Sequence, residues 1–431
     1  MSVETNNNNY NHQDQRIPFY SIEGTHYECS FKLGQLIAQR IRERIKKESN
    51  DLQPLFNFIK TDVGSKYFNS YTATIQDEYP WYYDELKGLS DGSEVSLKQI
   101  LVLNYKNELK AANDIYEEQE KDERGRSSCS TVLINRLDNY EQLLFIAHNE
   151  DEADSNWNTS YILQATVRSS VYRINGKEEL RESPNERFIA LGYAGQLAGN
   201  GFGANHHGFV FTYNGLYPKI PRIKNCLSRQ LLNRLVLTVE NEQQLDQILK
   251  TQLTAYGFNL NVGRFRCSDD IPEKYLLSYE IGPSNENEKT NQCNINYILN
   301  EKQVEDTRII MKHKDILSSS FSLNYYCHFN HYIHLQTVPE EDKPLSSSKM
   351  RAKRASEFGD IKISNQALQL LGDEKYKSEH PIYRRASTGQ TNTVTLCTAL
   401  IDFTTSMLYV YDDNPGLKTS SPFFEFDLNS L

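Results

Sequence analysis

The feature that most limits the fold of this 431-residue chain is an abrupt change of pattern at Cys129. A long charged stretch, Asp114-Ile-Tyr-Glu-Glu-Gln-Glu-Lys-Asp-Glu-Arg-Gly-Arg-Ser-Ser128, ends there, and an apolar run, Cys129-Ser-Thr-Val-Leu-Ile134, begins. Asp138-Asn139 supplies turn chemistry and Gln142-Leu-Leu-Phe-Ile-Ala-His148 a second apolar run, so the spacing predicts a β-hairpin. With the turn centred near Asn139, facing positions sum to roughly 278, which puts the partner of Cys129 near residue 149, give or take two. His148, Asn149, Glu150 and Asp151 are thereby brought beside the cysteine.

Ahead of Cys129 the pattern is helical. Phe31, Leu33, Ile37, Ile41 and Ile45 are spaced for an amphipathic helix over 25–47, with further helices expected over 81–89 and 96–112, the last capped by Ser96. Beyond Cys129, strands are expected over 161–171, 188–193 and 208–213, helices over 227–237 and 243–253, and strands over 275–281, 294–299 and 308–312. Helices over 347–358 and 365–371 follow, and a closing hairpin pairs 393–402 with 407–411. This order predicts stacked antiparallel sheets with helices outside them. The chain divides into a polar, low-complexity 1–15 expected to be disordered, a mostly helical 16–128 and a strand-rich 129–431.

Composition narrows the function classes. With 57 acidic against 47 basic residues the net charge is −10, which argues against a general nucleic-acid or anionic-membrane binder. The basic segment Ser346-Ser-Ser-Lys-Met-Arg-Ala-Lys-Arg354 fits the solvated face of an ordinary helix. No apolar run is long enough to span a bilayer, and the first residues lack the basic and apolar regions of a secretory signal. Seven cysteines without a CxxC pair give neither a disulfide framework nor a thiolate zinc site, so a reducing, cytoplasmic setting is expected. His328 and His331 invite a metal reading, but no third ligand stands at usable spacing, and neither a metal nor another cofactor is expected.

A cysteine that opens a strand behind an exposed loop can become a new N-terminus through one cut, carrying a thiol nucleophile and an adjacent α-amine. That amine has a reference pKa of about 8, so a substantial fraction is neutral near pH 7 and can take the thiol proton without a histidine. Taken singly, the same residues have plainer readings: Cys129 as a small buried hydrophobe, Asp151 as a strand-end acid, Asn259 and Asn261 as turn residues. Gly199-Asn-Gly-Phe-Gly203 has the flavour of a phosphate loop, yet no helix follows, so a turn between strands is expected.

Taken together, the motifs resemble the acyl-coenzyme A:6-aminopenicillanate acyltransferase-like family of N-terminal-nucleophile hydrolases, the C45 peptidases, which includes β-alanyl-dopamine hydrolases. The resemblance runs from about Ile17 to Pro415. It rests on Gly24-Thr-His-Tyr-Glu28 with Gly34-Gln35, Glu85-Leu-Lys-Gly-Leu-Ser-Asp-Gly92, Ile100-Leu-Val-Leu-Asn104 and Glu108-Leu109. It continues through Cys129-Ser-Thr131, His148-Asn-Glu-Asp151 where the family usually has Asn-Trp-Asp, Gly199 to Asn205 with Gly208 and Asn214, Gly257-Phe-Asn-Leu-Asn261, and His328-Phe-Asn-His331. The fold it implies is α+β, a four-layer αββα sandwich of two antiparallel sheets between helical layers. The chemistry it implies is self-cleavage between Ser128 and Cys129, then hydrolysis or transfer of the acyl group of a small acylated amine through a thioester. In that resemblance Cys129 is the nucleophile, Asp151 supports the new N-terminal amine and Asn261 helps form an oxyanion hole. His148, Asn149, Glu150, Asn205, Asn259, His328 and His331 are pocket candidates. Two residues depart from the family pattern, Ser128 where Gly is frequent and Glu150 where an aromatic residue is usual, the latter making the pocket entrance more acidic.

Two other functions fit the same residues. One is an unprocessed cysteine thioesterase or protease with His148 or His331 as base, for which a blocked α-amine at Cys129 would speak. The other is a non-catalytic binding protein that kept the fold. Under the leading reading the partners are a small-molecule acylated amine and the chain's own cleaved N-terminal part.

Overall fold

A computed structural model describes residues 16–117, 128–139, 141–173, 179–266, 274–304, 318–376, 380–385 and 393–431. The segment 1–15, the strand expected over 308–312 and most of the charged stretch before Cys129 lie outside the described residues. At its centre is the expected hairpin of β2 (Ser128–Asp138) and β3 (Glu141–Ala153), with Asn139 at a φ of 48° in the turn. Cys129 faces Glu150 and Thr131 faces His148, one residue beyond the predicted partner.

Side chains alternate across a strand, so one face of the hairpin carries Cys129, Thr131 and Leu133 with Glu150, His148 and Ile146. The other carries Ser128, Ser130 and Val132 with Asp151, Asn149 and Ala147. Leu133 and Ile146 join Ile189, Leu191 and Ile298 in a core between two sheets. Val132 and Ala147 join Leu368 and Leu371 in a core beneath outer helices. The hairpin is therefore buried on both sides, which accounts for its nearly unbroken apolar sequence.

The sheet holding the hairpin has six strands in the order β14-β2-β3-β15-β16-β17, where β14 is Tyr325–His328, β15 Thr393–Asp402, β16 Met407–Tyr411 and β17 Phe424–Asp427. The facing sheet has nine, in the order β1-β4-β7-β8-β9-β10-β11-β12-β13. These are β1 (Phe19–Thr25), β4 (Ser160–Arg168), β7 (Glu186–Tyr193), β8 (Asn200–Asn205), β9 (Phe209–Gly215), β10 (Phe258–Arg264), β11 (Leu276–Gly282), β12 (Gln292–Leu299) and β13 (Ser318–Leu323). All pairings are antiparallel except at the two edges of the larger sheet, where β1 runs parallel to β4 and β13 to β12. The short strands β5 (Val171–Arg173) and β6 (Leu180–Glu182) form a separate ribbon.

One helical layer covers the outer face of the nine-stranded sheet: α1 (His26–Lys47), α2 (Ser49–Phe58), α3 (Asp62–Glu78), α4 (Pro80–Ser93), α5 (Leu97–Asn104), α6 (Lys106–Tyr116), α7 (Arg229–Val236) and α8 (Glu242–Thr251). Thr25 caps α1 in a reciprocal box with Glu28. Helix α1 lies so close to α4 that a side chain on Gly88 or Gly92 would strike the Tyr27 or Phe31 backbone. The helices Asp342–Phe358 and Ser364–Leu371 cover the six-stranded sheet. The architecture is the αββα sandwich. No described helix is long and apolar enough to cross a membrane.

Candidate active site

The site is built on the inter-sheet face of the hairpin's open end, where Cys129, Thr131, His148 and Glu150 come together. Glu150 Oε2 lies 3.5 Å from the Cys129 Sγ and 3.0 Å from His148 Nε2. Its other oxygen accepts a short hydrogen bond from the Tyr193 hydroxyl. On the far side of the imidazole, His148 Nδ1 is 2.8 Å from Thr131 Oγ1, and that hydroxyl donates to Asn214 Oδ1 at 2.8 Å. Glu150 has room because β8 turns away through Gly201, at a φ of 61°; a Cβ there would stand 2.8 Å from the Glu150 carboxylate.

The backbone of Cys129 is held from the opposite side. Its N–H donates to Asn330 Oδ1 at 2.8 Å, and its carbonyl accepts from Arg351 Nη1 at 2.6 Å. The same guanidinium reaches Ser130 Oγ at 2.9 Å, Ser128 Oγ at 3.3 Å and Asn330 Oδ1 at 2.6 Å. The residues flanking the Ser128-Cys129 bond are thus held by one buried cation, and the N–H of that bond by Asn330. Arg351 comes from the basic segment expected to be a solvated helix face; Lys349 and Lys353 are exposed, but Arg351 is completely buried. Three residues apart along the helix, Ser348 and Arg351 share the inward face.

A cavity with about 50 Å³ of room for water opens beside the thiol. The hairpin contributes Cys129, Glu150 and Glu152, the facing sheet Tyr193 and Asn214, and the N-terminal helices Arg44 and Lys106. Its wall therefore carries both signs of charge. Burial, then the Glu150 and Asp151 carboxylates, push the Cys129 thiol well above its ordinary range. Burial raises the Glu152 carboxyl to about 7. Burial and the neighbouring Arg384 lower Arg351 to about 10.

Of the residues singled out in the sequence, Cys129 and Glu150 line this cavity, and His148 joins them through Glu150. Asp151, opposite Ser128, lies on the other face, accepting from Thr395 Oγ1 at 2.6 Å with Arg384 Nε at 3.6 Å. Asn149 shares that face and ties Thr398 to the Leu371 carbonyl. Asn261 gives its side-chain N–H groups to Thr212 Oγ1 at 3.2 Å and Asn214 Oδ1 at 3.0 Å, one step behind the cavity. Asn259 bonds Ser278 and the Tyr279 carbonyl. Asn205 holds the Leu237 and Val239 carbonyls, closing a turn. His328 pairs with Glu280 at 3.0 Å, and His331 with Ser348 at 2.6 Å, its pKa lowered by burial to about 4. Arg351, Asn330, Tyr193, Glu152, Arg44 and Lys106 were not singled out as site residues. Of these, Asn330 stands inside the motif His328-Phe-Asn-His331, Arg351 inside the basic segment 346–354, and Glu152 two residues after Glu150, sharing its face.

Comparison with known proteins adds to this geometry. A family profile described as acyl-coenzyme A:6-aminopenicillanic acid acyl-transferase matches residues 138–268 and 284–417. Over 405 residues the chain is 24% identical to the β-alanyl-dopamine/carcinine hydrolase of Drosophila melanogaster, covering 93% of this chain and 94% of that one. Among solved structures it is similar to a variant of conjugated bile acid hydrolase from Clostridium perfringens, at 10% identity and a TM-score of 0.38, over 70% of this chain and 93% of that one. It is also similar to penicillin V acylase from Agrobacterium tumefaciens, at 10% identity and a TM-score of 0.34, over 65% and 82%.

Proposed function

Because this chain belongs to the acyl-coenzyme A:6-aminopenicillanic acid acyl-transferase family, we propose that it is a self-processing cysteine amidohydrolase or acyltransferase acting on small N-acylated amines. The observation that carries this reading is the placement of Cys129: its thiol lines a polar cavity, the N–H of its peptide with Ser128 is held by Asn330, and Arg351 holds the Ser128 side chain and the Cys129 carbonyl on either side. In the processing step the Cys129 Sγ attacks the Ser128 carbonyl carbon, the C–N bond breaks and Ser128 passes to sulfur as a thioester. Water then releases the Ser128 carboxylate, leaving a free thiol and a free α-amine.

The new amine stays beside Asn330 Oδ1, and the adjacent Arg351 disfavours its protonated form, so it is poised to take the thiol proton. Asp151 acts on this amine only through Arg351 and Arg384, whose buried charge it partly balances and so keeps in place. Attack on a substrate amide forms an acyl-thioester and frees the amine product; water or a second amine then takes the acyl group. Asn214 lines the cavity on the oxyanion side, and Asn261 acts there by orienting it.

The curated relative is named for β-alanyl-dopamine and carcinine. Here the Glu150 and Glu152 carboxyls on the hairpin side of the cavity offer acceptors to an ammonium-bearing acyl group, which would itself favour the ionised form of Glu152. The test is denaturing electrophoresis with N-terminal sequencing of active protein, beside hydrolysis of β-alanyl amides and of acyl amides lacking the ammonium. Fragments of roughly 15 and 35 kDa, the larger beginning at Cys129, are expected. Active protein that shows only the full-length band would overturn processing. A second reading, an unprocessed hydrolase, draws on the bridging of thiol and His148 by Glu150. It requires turnover with residue 129 still in peptide linkage.

A further inference from the structure

Cys129, His148 and Glu150 present one sulfur, one nitrogen and one oxygen, all within 4.8 Å of one another and all buried. We propose that these three side chains form a binding site for a thiophilic divalent cation of the zinc type, which masks the Cys129 thiol. Two of the three ligand separations match such an ion. With zinc bonds of about 2.3 Å to sulfur and about 2.0–2.1 Å to nitrogen and oxygen, a tetrahedron has a sulfur–oxygen edge near 3.5 Å and a nitrogen–oxygen edge near 3.3 Å. The corresponding separations here are 3.5 Å and 3.0 Å.

The surrounding hydrogen bonds orient the imidazole for this task. Asn214 Nδ2 donates to the His328 carbonyl, which leaves Asn214 Oδ1 as the acceptor for the Thr131 hydroxyl. With its single hydrogen spent, Thr131 must accept from His148 Nδ1–H. Nε2 then faces Glu150 Oε2 at 3.0 Å, towards the shared centre, and becomes a ligand when the proton between them leaves. A ligating histidine whose other N–H is fixed by a neighbour is the usual arrangement at metal sites. The thiol makes the set selective, because magnesium and calcium prefer all-oxygen surroundings.

On binding, the ion forms bonds to Sγ, Nε2 and Oε2, and the thiol proton and the proton held between Nε2 and Oε2 leave to solvent. The site stands whatever the role of Cys129. Only its consequence, reversible arrest of cleavage and turnover, rests on the thiol's being the nucleophile. Metal-stripped full-length protein titrated with cobalt(II) should develop a thiolate-to-cobalt charge-transfer band at one equivalent, displaced by zinc and not by magnesium. Cys129→Ser should lose the band, and Thr131→Ala should weaken binding about 10- to 100-fold, with thermal melts confirming that both variants fold. A band that persists undiminished in Cys129→Ser, or no band in the parent protein, overturns the site. Zinc binding at Cys129 without inhibition would leave the site standing and overturn the nucleophile assignment.

Discussion

Arg351 holds more of the Ser128-Cys129 junction than any residue picked out in the sequence, with bonds to the Cys129 carbonyl, both flanking serines and Asn330. Hydrogen bonds to a charged group contribute about 1.5–3 kcal/mol each, so Arg351→Met should slow self-cleavage by about a hundredfold. Arg351→Lys should recover part of the rate, since it keeps the charge and loses the fork. The fraction cut against time on denaturing gels checks both. Cys129→Ala should abolish cleavage and turnover, whereas Cys129→Ser cleaves slowly because a hydroxyl is the poorer nucleophile. For the oxyanion, loss of Asn214 should lower kcat by about a hundred- to a thousandfold with KM less changed. Asn261→Ala should show a smaller loss of the same kind, because its two N–H groups act through Asn214 and Thr212. Equal losses in the two variants would mean that Asn261 reaches the substrate itself.

At the scale of elements, strong periodicity survived and weak periodicity did not. The closing hairpin, β15 with β16, spans the expected residues, and α1 differs from its predicted range by its cap alone. Helices α2 and α3 were not expected: α3, Asp-Val-Gly-Ser-Lys-Tyr-Phe-Asn-Ser-Tyr-Thr-Ala-Thr-Ile-Gln-Asp-Glu, is rich in poor helix formers. What holds it is burial of Tyr67, Tyr71 and Ile75 against neighbouring helices, a tertiary gain that outweighs propensity. The helix expected over 96–112 is interrupted at Tyr105 into α5 and α6. Strand β11 carries Glu280, which accepts from His328 and from the backbone N–H groups of Ile333, His334 and Leu335. Burial alone would raise this carboxyl, but those partners prevail and hold it at about 2. Its folded pKa is below the unfolded value of about 4.3, so its contribution of roughly 3 kcal/mol is present above that pH and fades as pH falls towards 2. Glu280→Gln should lower stability at pH 7 and flatten the pH dependence of urea midpoints between about 4 and 2.

Across the molecule the N-terminal helices are fastened to α7 and the nine-stranded sheet by buried charge. Arg234 on α7 bonds Glu85 on α4 at 2.6 Å and Glu186 on β7 at 2.5 Å, while His26 on α1 meets Glu85 at 2.7 Å. Arg234→Met would leave two buried carboxylates with less compensation, at a cost of about 3–5 kcal/mol in urea unfolding. The same fastening should keep the two predicted fragments together after cleavage, and the cavity needs both, since Arg44 and Lys106 come from the N-terminal part and Cys129 from the other. Co-elution of both fragments in gel filtration checks this. By itself the sequence determined the hairpin, its register to within one residue, the order of most helices and strands, and Cys129 beside Glu150, because these follow from local periodicity and turn chemistry. The tertiary structure alone decided which face each polar residue occupies and what it meets there: Asp151 with Arg384, Asn261 behind Asn214, Arg351 under the peptide of Cys129. Those pairings join residues far apart in the chain, and no local pattern encodes a contact made only when two sheets and two helical layers close on one another.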